Sequence, residues 1–402
     1  PARNHELKSL VQLCTLCGLC PCPNIRNDVI KAKVALVRQN GMSIGSRLLA
    51  DVQQFGRTCG MVPGLVNAVL SNGSVKGIVK RVIGIHPERK LPRIPEENFY
   101  TWAKHRGLCN TSVNGHGVAY FAGCSAGYLF PEVGRAAVMV LEQNDLNVFV
   151  PSQQCCGMPT LVEGDLRTTL KRARSNLDSI LTAKDRGFEP VSSCPTCGFL
   201  MKVLFKEGAY HSKSYQQLIG AGDDDIKIPD DRETGQFTFL KKSLYANILK
   251  DDGLLSELYP LDRIDVSDSL CDIGEYLGRL LDENKFDDRF RHLSKRIVYY
   301  APCHQREQKI GSPYFRLLSL IPGIDIEQVG GAMDCCGMGG SLGYKKGFHD
   351  ASTSLGASVA AKIDALKPDI VATDCLSCSL QFQQLLPFPV CHPLEILSDA
   401  YN

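Results

Sequence analysis

Short apolar runs alternate with stretches of helical spacing along this chain, and the whole alternation occurs twice. Val118-Ala119-Tyr120-Phe121 and Ile297-Val298-Tyr299-Tyr300 are β-branched and aromatic runs that read as buried strands. Apolar residues at helical spacing follow each, over Val133 to Gln143 in one copy and Tyr314 to Leu320 in the other. Leu146 to Val150 and Ile324 to Ile326 then read as second strands. A second helix, Leu166 to Ala183 or Ser352 to Leu366, leads to a third strand, Glu189 to Val191 or Asp369 to Ala372. The order strand, helix, strand, helix, strand predicts a parallel α/β module whose right-handed crossovers bring all three strand C-termini to one edge. Open α/β sheets place ligands at that edge.

Cysteines mark the same edge in both copies. The first set is Cys124, Cys155-Cys156-Gly157 and Cys194-Pro195-Thr196-Cys197, or C-x30-C-C-G-x36-C-x2-C. The second is Cys303, Cys335-Cys336-Gly337 and Cys375-Leu376-Ser377-Cys378, or C-x31-C-C-G-x37-C-x2-C. Every element recurs about 180 residues later with one-residue drift, which points to a duplicated module; two copies at so long a period do not make a solenoid. A further run, Cys14, Cys17, Cys20 and Cys22, crowds into the N-terminus.

The remaining segments divide the chain into residues 1–52 with the N-terminal run, 53–112, a first module over 113–215, a connecting segment over 216–292, and a second module over 293–402. Residues 53–112 read as an amphipathic helical linker. Within them, Leu65, Val66, Val75, Ile78, Val79, Val82 and Ile83 are interleaved with Lys76, Lys80, Arg81, Arg89 and Lys90, a pattern that suits a membrane surface, a partner-docking face or an ordinary surface helix. In the connecting segment, the acidic stretch Asp223 to Asp231 reads as exposed loop, while Leu240 to Leu255 and Leu270 to Leu281 look helical.

Composition removes several classes. A formal charge of +2 gives no electrostatic case for nucleic acid, and 22% charged with 44% hydrophobic residues argues against wholesale disorder. The longest apolar runs fall short of the roughly 18 to 20 residues of a spanning helix, and the first residues lack a signal-peptide core, so the expectation is a soluble, cytoplasmic protein. There, 18 cysteines are better explained by metal than by a disulfide framework.

Structural zinc takes four tetrahedral ligands, which a set of five cysteines overshoots. The adjacent pairs Cys155-Cys156 and Cys335-Cys336 cannot comfortably chelate one ion, but they can reach different irons or bridge two, and Gly157 and Gly337 let backbone approach an inorganic core. Iron–sulfur clusters are therefore the leading reading, with structural zinc and metal-free vicinal dithiols as alternatives. Gly337 to Lys345 is not a phosphate loop, since it lacks the Gly-Lys-Ser/Thr ending. Cys14-x2-Cys17-x2-Cys20 begins like a ferredoxin run that normally continues x3-Cys-Pro, but here Cys22-Pro23 comes two residues early. A 4Fe-4S cubane is expected there, with Cys22 or a distant residue such as Cys59 as fourth ligand, and zinc as the alternative. Cys109, Cys271 and Cys391 stand alone and carry no assigned role. His304 and His392 flank Cys303 and Cys391, placed either to hydrogen-bond a cluster sulfur or to satisfy backbone.

With both motifs in hand, the chain resembles the cysteine-rich, or CCG, family typified by the B subunits of heterodisulfide reductases. The branch it is most similar to comprises the C subunits of anaerobic glycerol-3-phosphate dehydrogenases, which share Tyr300-Ala301-Pro302-Cys303-His304, Asp334-Cys335-Cys336-Gly337, Gly343-Tyr344-Lys345-Lys346 and Thr373-Asp374-Cys375 in this order. It departs from that branch in having both five-cysteine motifs complete and only one irregular N-terminal run. The resemblance implies an α/β chain of two duplicated CCG modules preceded by a small helical ferredoxin-like domain. It further implies one non-cubane 4Fe-4S cluster per module and an electron-transfer subunit of a hetero-oligomeric oxidoreductase. Electrons would come from a flavoprotein dehydrogenase subunit and pass towards quinone or another carrier, with the protein cytoplasmic or peripheral on the inner face of the cell membrane. No Gly-x-Gly-x-x-Gly follows a predicted strand, so hydride chemistry would belong to the partner. Two rivals are a heterodisulfide reductase-like subunit that cleaves a disulfide at a non-cubane cluster, and a zinc-stapled scaffold without redox activity.

Overall fold

The computed structural model describes residues 4–14, 16, 20, 25–110, 117–222, 224–229, 236–245, 250–251 and 253–402. In chain order its strands are β1 (Gly117–Phe121), β2 (Asn147–Phe149), β3 (Phe188–Ser192), β4 (Asp225–Pro229) and β5 (Phe237–Lys241). They continue with β6 (Cys271–Asp272), β7 (Lys295–Tyr300), β8 (Ile324–Val329), β9 (Ile370–Ala372) and β10 (Val390–Cys391). Two four-stranded parallel sheets result, ordered β2-β1-β3-β6 and β8-β7-β9-β10, so the second repeats the topology of the first. The central strands are buried throughout β1 and over Ile297–Tyr300 of β7, as their continuous apolar runs require of a sheet covered on both faces.

Each sheet has a fourth strand that the sequence pattern does not reveal. β6 and β10 are two residues long, and each leads into a helix opened by a capping box, Asp272 with Glu275 and His392 with Glu395. In the first copy the hairpin insertion separates β3 from β6, so the two edge strands are about 120 residues apart and the period of about 180 breaks. Residues 271–282 thus belong to the first sheet rather than to a connection, and the helix expected over Leu270 to Leu281 starts only at Ile273.

Two other expectations in that segment change. The acidic stretch read as exposed loop contains β4, which pairs antiparallel with β5 because Ile226 and Ile228 alternate opposite Leu240 and Thr238. Among the described residues of the helix expected over Leu240 to Leu255, only Lys242–Tyr245 are helical; Leu254, Leu255 and Leu258 are buried in turns against the first module.

The modules share one hydrophobic core, and their packing is reciprocal. The helix after β6 (Ile273–Asp282) lies on the second module's helix Pro313–Leu318, with Gly274 against the Tyr314 ring. The helix after β10 (Pro393–Tyr401) lies on the first module's helix Pro131–Gln143. Leu277, Leu317, Ala137, Leu141, Leu394 and Leu397, all fully buried, form the seam.

Most of the described part of residues 4–105 is helical, and it braces both modules. Ile30 and Val34 of helix Ile25–Asn40 pack with Met158, Leu161 and Leu200, and Gly56 of helix Val52–Cys59 packs on Tyr128. The described part of residues 53–112, expected as a linker, packs into the modules: helix Phe99–His105 puts Phe99 and Ala103 into the shared core, and Ile85 bridges to Lys345. Its basic face is not wholly on the surface. Lys80 is buried and bonded to the Pro87 carbonyl, and Arg89 is buried completely, whereas Leu65, Ile78 and Val82 are exposed. No helix among the described residues is long and apolar enough to cross a membrane.

Candidate metal centre

Strand ends deliver the cysteines. Cys124 follows β1 in the helix Gly123–Tyr128, which starts at Gly123 with φ +70; a Cβ there would lie 2.9 Å from Cys197 Sγ. Cys155 and Cys156 follow β2 and end at Gly157, φ +105. Cys194 caps the short helix Pro195–Gly198 that carries Cys197. The second copy repeats this, with Cys303 opening helix Cys303–Arg306, Gly337 at φ +78, and Cys375 capping helix Leu376–Leu385, which carries Cys378. The thiols touch: Cys124 and Cys155 Sγ are 3.2 Å apart, and Cys336 and Cys378 Sγ are 3.0 Å apart. No described cysteine is in a disulfide.

Side chains outside the motifs fix the turns. Gln53 Oε1 accepts from the Cys155 backbone N–H at 2.7 Å, and Asn176 Oδ1 accepts from the Gln154 N–H at 2.8 Å. Thr169 Oγ1 and Ser352 Oγ, at matching places in the two copies, donate to the carbonyls of Gly157 and Gly337.

Crowded, dry thiols cannot all ionise by themselves. Contact with Cys155 together with burial raises Cys124 and Cys156, contact with Cys156 and Cys194 raises Cys197, contact with Cys335 raises Cys303, and burial raises Cys378. Their partners go the other way. Hydrogen bonds from Cys124 and Cys156, assisted by Arg172, lower Cys155, and hydrogen bonds from Cys335 and Cys378 lower Cys336 to about 5. Cys194 and Cys375 are lowered by Cys197 and Cys378 and then by backbone N–H groups of the helices they cap. Each module thus sets more acidic thiols against less acidic ones, a donor set that a multivalent cationic core would satisfy. The buried Tyr300 hydroxyl beside the second set has no partner among the described residues and is free to donate to such a core. Five soft donors around a dry space fit an iron–sulfur cluster, while a four-coordinate zinc would leave one thiol of each set over.

The two motifs sit in different modules and are each expected to hold a cluster, yet both sets line a single cavity, to which every cysteine of the two sets contributes except Cys155. Cys194 and Cys375, one from each set, line it together. The cause is the reciprocal helix packing, which turns the two cysteine-bearing sheet edges towards each other. Between them His304 stacks on Phe199, with centroids 4.7 Å apart, and its Nδ1 is 3.0 Å from Thr196 Oγ1. Burial lowers it to about 4, so it is neutral.

The sequence model of the CCG cysteine-rich domain matches residues 118–202 and again 297–383, the segments that carry the two cysteine sets. Both modules are CCG domains. Among curated relatives, one of the anaerobic glycerol-3-phosphate dehydrogenase C subunits, from Escherichia coli (strain K12), is 24% identical over 377 residues, covering 93% of this chain and 81% of the relative. One of the fumarate reductase (CoM/CoB) B subunits, from Methanothermobacter marburgensis, is 27% identical over 302 residues, covering 72% of this chain and 47% of the relative. A lactate utilization protein A 2 from Bacillus cereus is 23% identical over 292 residues, 71% of this chain and 99% of the relative.

The other described candidate residues do not line the CCG cavity. In the N-terminal run, Cys14 is half-buried and its carbonyl accepts from Lys33 Nζ at 3.2 Å, Cys20 is exposed, and Cys17 and Cys22 lie outside the described residues. Cys59 closes the helix that packs on Tyr128, and burial raises its thiol. His392 is structural: Nδ1 accepts from the Leu394 N–H and Nε2 meets the Ser193 carbonyl at 3.1 Å, tying the second CCG domain to the first. Cys271 and Cys391 sit in the edge strands, and Cys109 is exposed. Sequence reasoning missed Arg172 and Arg89 beside the cysteine sets, because no spacing within a motif points to either.

Proposed function

We propose that this chain is the iron–sulfur electron-transfer subunit of a flavoprotein-linked oxidoreductase complex, passing electrons towards quinone or another carrier. Cys124, Cys155, Cys156, Cys194 and Cys197 would hold one non-cubane 4Fe-4S cluster, and Cys303, Cys335, Cys336, Cys375 and Cys378 a second. Cys14, Cys17 and Cys20, with Cys22 or Cys59, would hold a cubane. Bound there, the clusters would supply one-electron storage and transfer. The chain itself keeps the thiols dry, divides them into good and poor acids, and presents both sets to one cavity. The observation that carries the reading is the pair of five-cysteine sets, four of each buried, that line one cavity. The relatives named as dehydrogenase and reductase subunits support membership of a multi-subunit complex. The exposed apolar residues Leu65, Ile78 and Val82 support a peripheral place on the inner face of the cell membrane or on a partner.

The shared cavity favours a second reading, disulfide reduction. A disulfide held between the two sets would take up two electrons and two protons and leave as two thiols, and the largely apolar walls, Met158, Val162 and Met338, suit a thioalkyl substrate. The deciding experiments are iron and acid-labile sulfide assays on anaerobically purified protein, then reoxidation of the reduced protein by a quinone analogue or a disulfide, followed by EPR. Zinc without sulfide would exclude both redox readings, and reoxidation by disulfide alone would remove the quinone-linked one. Cys156→Ser and Cys336→Ser should each lose the signal of one CCG domain and keep the other; unchanged iron and EPR in both would refute the ligand assignment.

A further inference from the structure

Arg89 is fully buried, yet it pairs with no carboxylate among the described residues. It arrives from outside the CCG domains on a strap held by the His86 N–H on the Tyr344 carbonyl, 2.8 Å, and by the Ile85–Lys345 bridge. Nη1 donates to Gln381 Oε1 at 2.6 Å, Nη2 lies 2.7 Å from Met338 Sδ, the guanidinium sits over the Tyr344 ring at 5.2 Å, and Nε has no partner among the described residues. A dry, uncompensated cation is costly unless an anion answers it. The second cysteine set lies beside it: Met338, which Nη2 touches, is two residues from Cys336, and both line the cavity.

The first CCG domain lacks this device. Met158 takes the place of Met338 but packs with Leu16, Ile30 and Leu200, and Leu200 stands where the second copy has Gln381. The first set has its own arginine, Arg172, but Asp51 neutralises it at 2.6 Å. Near the second set, Lys362 pairs with the Asp334 carboxylate at 2.7 Å, and Arg306 is spent on the Ala301 and Asp334 carbonyls.

Resting on the reading of the second set as a cluster site, we propose that Arg89 is the internal counter-charge of that cluster and holds its reduction potential above that of the first. A fixed positive charge in a low-dielectric site favours the more negative, reduced state of a neighbouring anionic centre. Arg89 is a tuning residue, with Gln381 aiming it, and it makes the two adjacent centres an ordered pair.

The test is an EPR-monitored redox titration of the full chain, purified anaerobically, with signals assigned through Cys156→Ser and Cys336→Ser. The second domain's midpoint should be the higher one; Arg89→Gln should lower it and leave the first domain's midpoint in place, while Arg89→Lys should keep most of the difference. Full iron content with an unmoved midpoint in Arg89→Gln would overturn the proposal. Where Arg89→Gln loses iron from the second domain, Arg89→Lys decides: restored iron upholds a requirement for charge, and loss in both variants makes Arg89 a packing residue. A parent protein without iron and sulfide would sink the cluster reading itself, a result distinct from intact clusters with unmoved potentials.

Discussion

Asp51 does two things at once, and the structure allows them to be separated. Its Oδ1 caps helix Val52–Cys59 by accepting from the Gln54 N–H at 3.0 Å, and it pairs with Arg172 at 2.6 Å. The Arg172 side chain is 11% exposed and Asp51 is 29% exposed, so the pair lies between a surface bridge, worth about 0.2–1 kcal/mol, and a buried one, whose breakage costs about 3–5 kcal/mol. Asp51→Asn keeps the cap and removes the charge, so metal-free protein should lose about 1–2 kcal/mol; Asp51→Ala, which also loses the cap, should lose about 1 kcal/mol more. Urea unfolding of metal-free protein measures both, and a cycle with Arg172→Met isolates the pair term. In iron-loaded protein the Asp51→Asn loss should shrink, because the freed Arg172 then faces a negatively charged first site. Equal stability of parent, Asn and Ala proteins would refute the reasoning, and an undiminished loss after loading would deny that Arg172 acts on the first cysteine set.

Leu277 is fully buried in the seam between the CCG domains, so Leu277→Ala should cost about 2–5 kcal/mol and lower Tm, and a change within about 0.5 kcal/mol would mean the seam is not a core. Burial raises Asp272 to about 7, above its ordinary value near 4. Between those values the folded chain binds more protons than the unfolded one, so this group's contribution to stability falls as pH rises from about 4 to about 7 and is level above. Asp272→Asn, which keeps an acceptor for the Gly274 N–H, should match the parent near pH 4 and exceed it in Tm near pH 8; identical pH profiles would refute the shift.

Much of the fold is legible because its signals are local. The strand runs, the helices between them and the Cys-Cys-Gly turns lie within one module, and their recurrence after about 180 residues confirms each by the other. The fourth strands escape because two residues carry no period and the insertion carrying β4 and β5 displaces β6 from its place in the repeat. The capping boxes at Asp272 and His392 are the signal that finds them. The β4–β5 hairpin escapes because its acidic residues mask the alternation of Ile226 and Ile228. The shared cavity escapes for a different reason: it depends on which helix of one copy lies on which helix of the other, and side chains such as Leu277 and Leu397 look like any core residue in sequence.

That packing also explains why duplication suits this site. A lone CCG domain would expose the apolar face that Ile273–Asp282 or Pro393–Tyr401 buries in the partner copy, so the copies stabilise each other, and their cysteine edges meet as a consequence. Once the ligand turns are fixed by the same contacts in both, as with Thr169 and Ser352, the copies can diverge only behind them. They do so at paired positions: Leu200 against Gln381, and Arg172 against Leu355. The first copy answers its arginine with Asp51, whereas the second takes in Arg89 with no carboxylate partner among the described residues. Identical thiol sets in unlike electrostatic surroundings are what two neighbouring redox centres need to differ in potential while sharing one cavity.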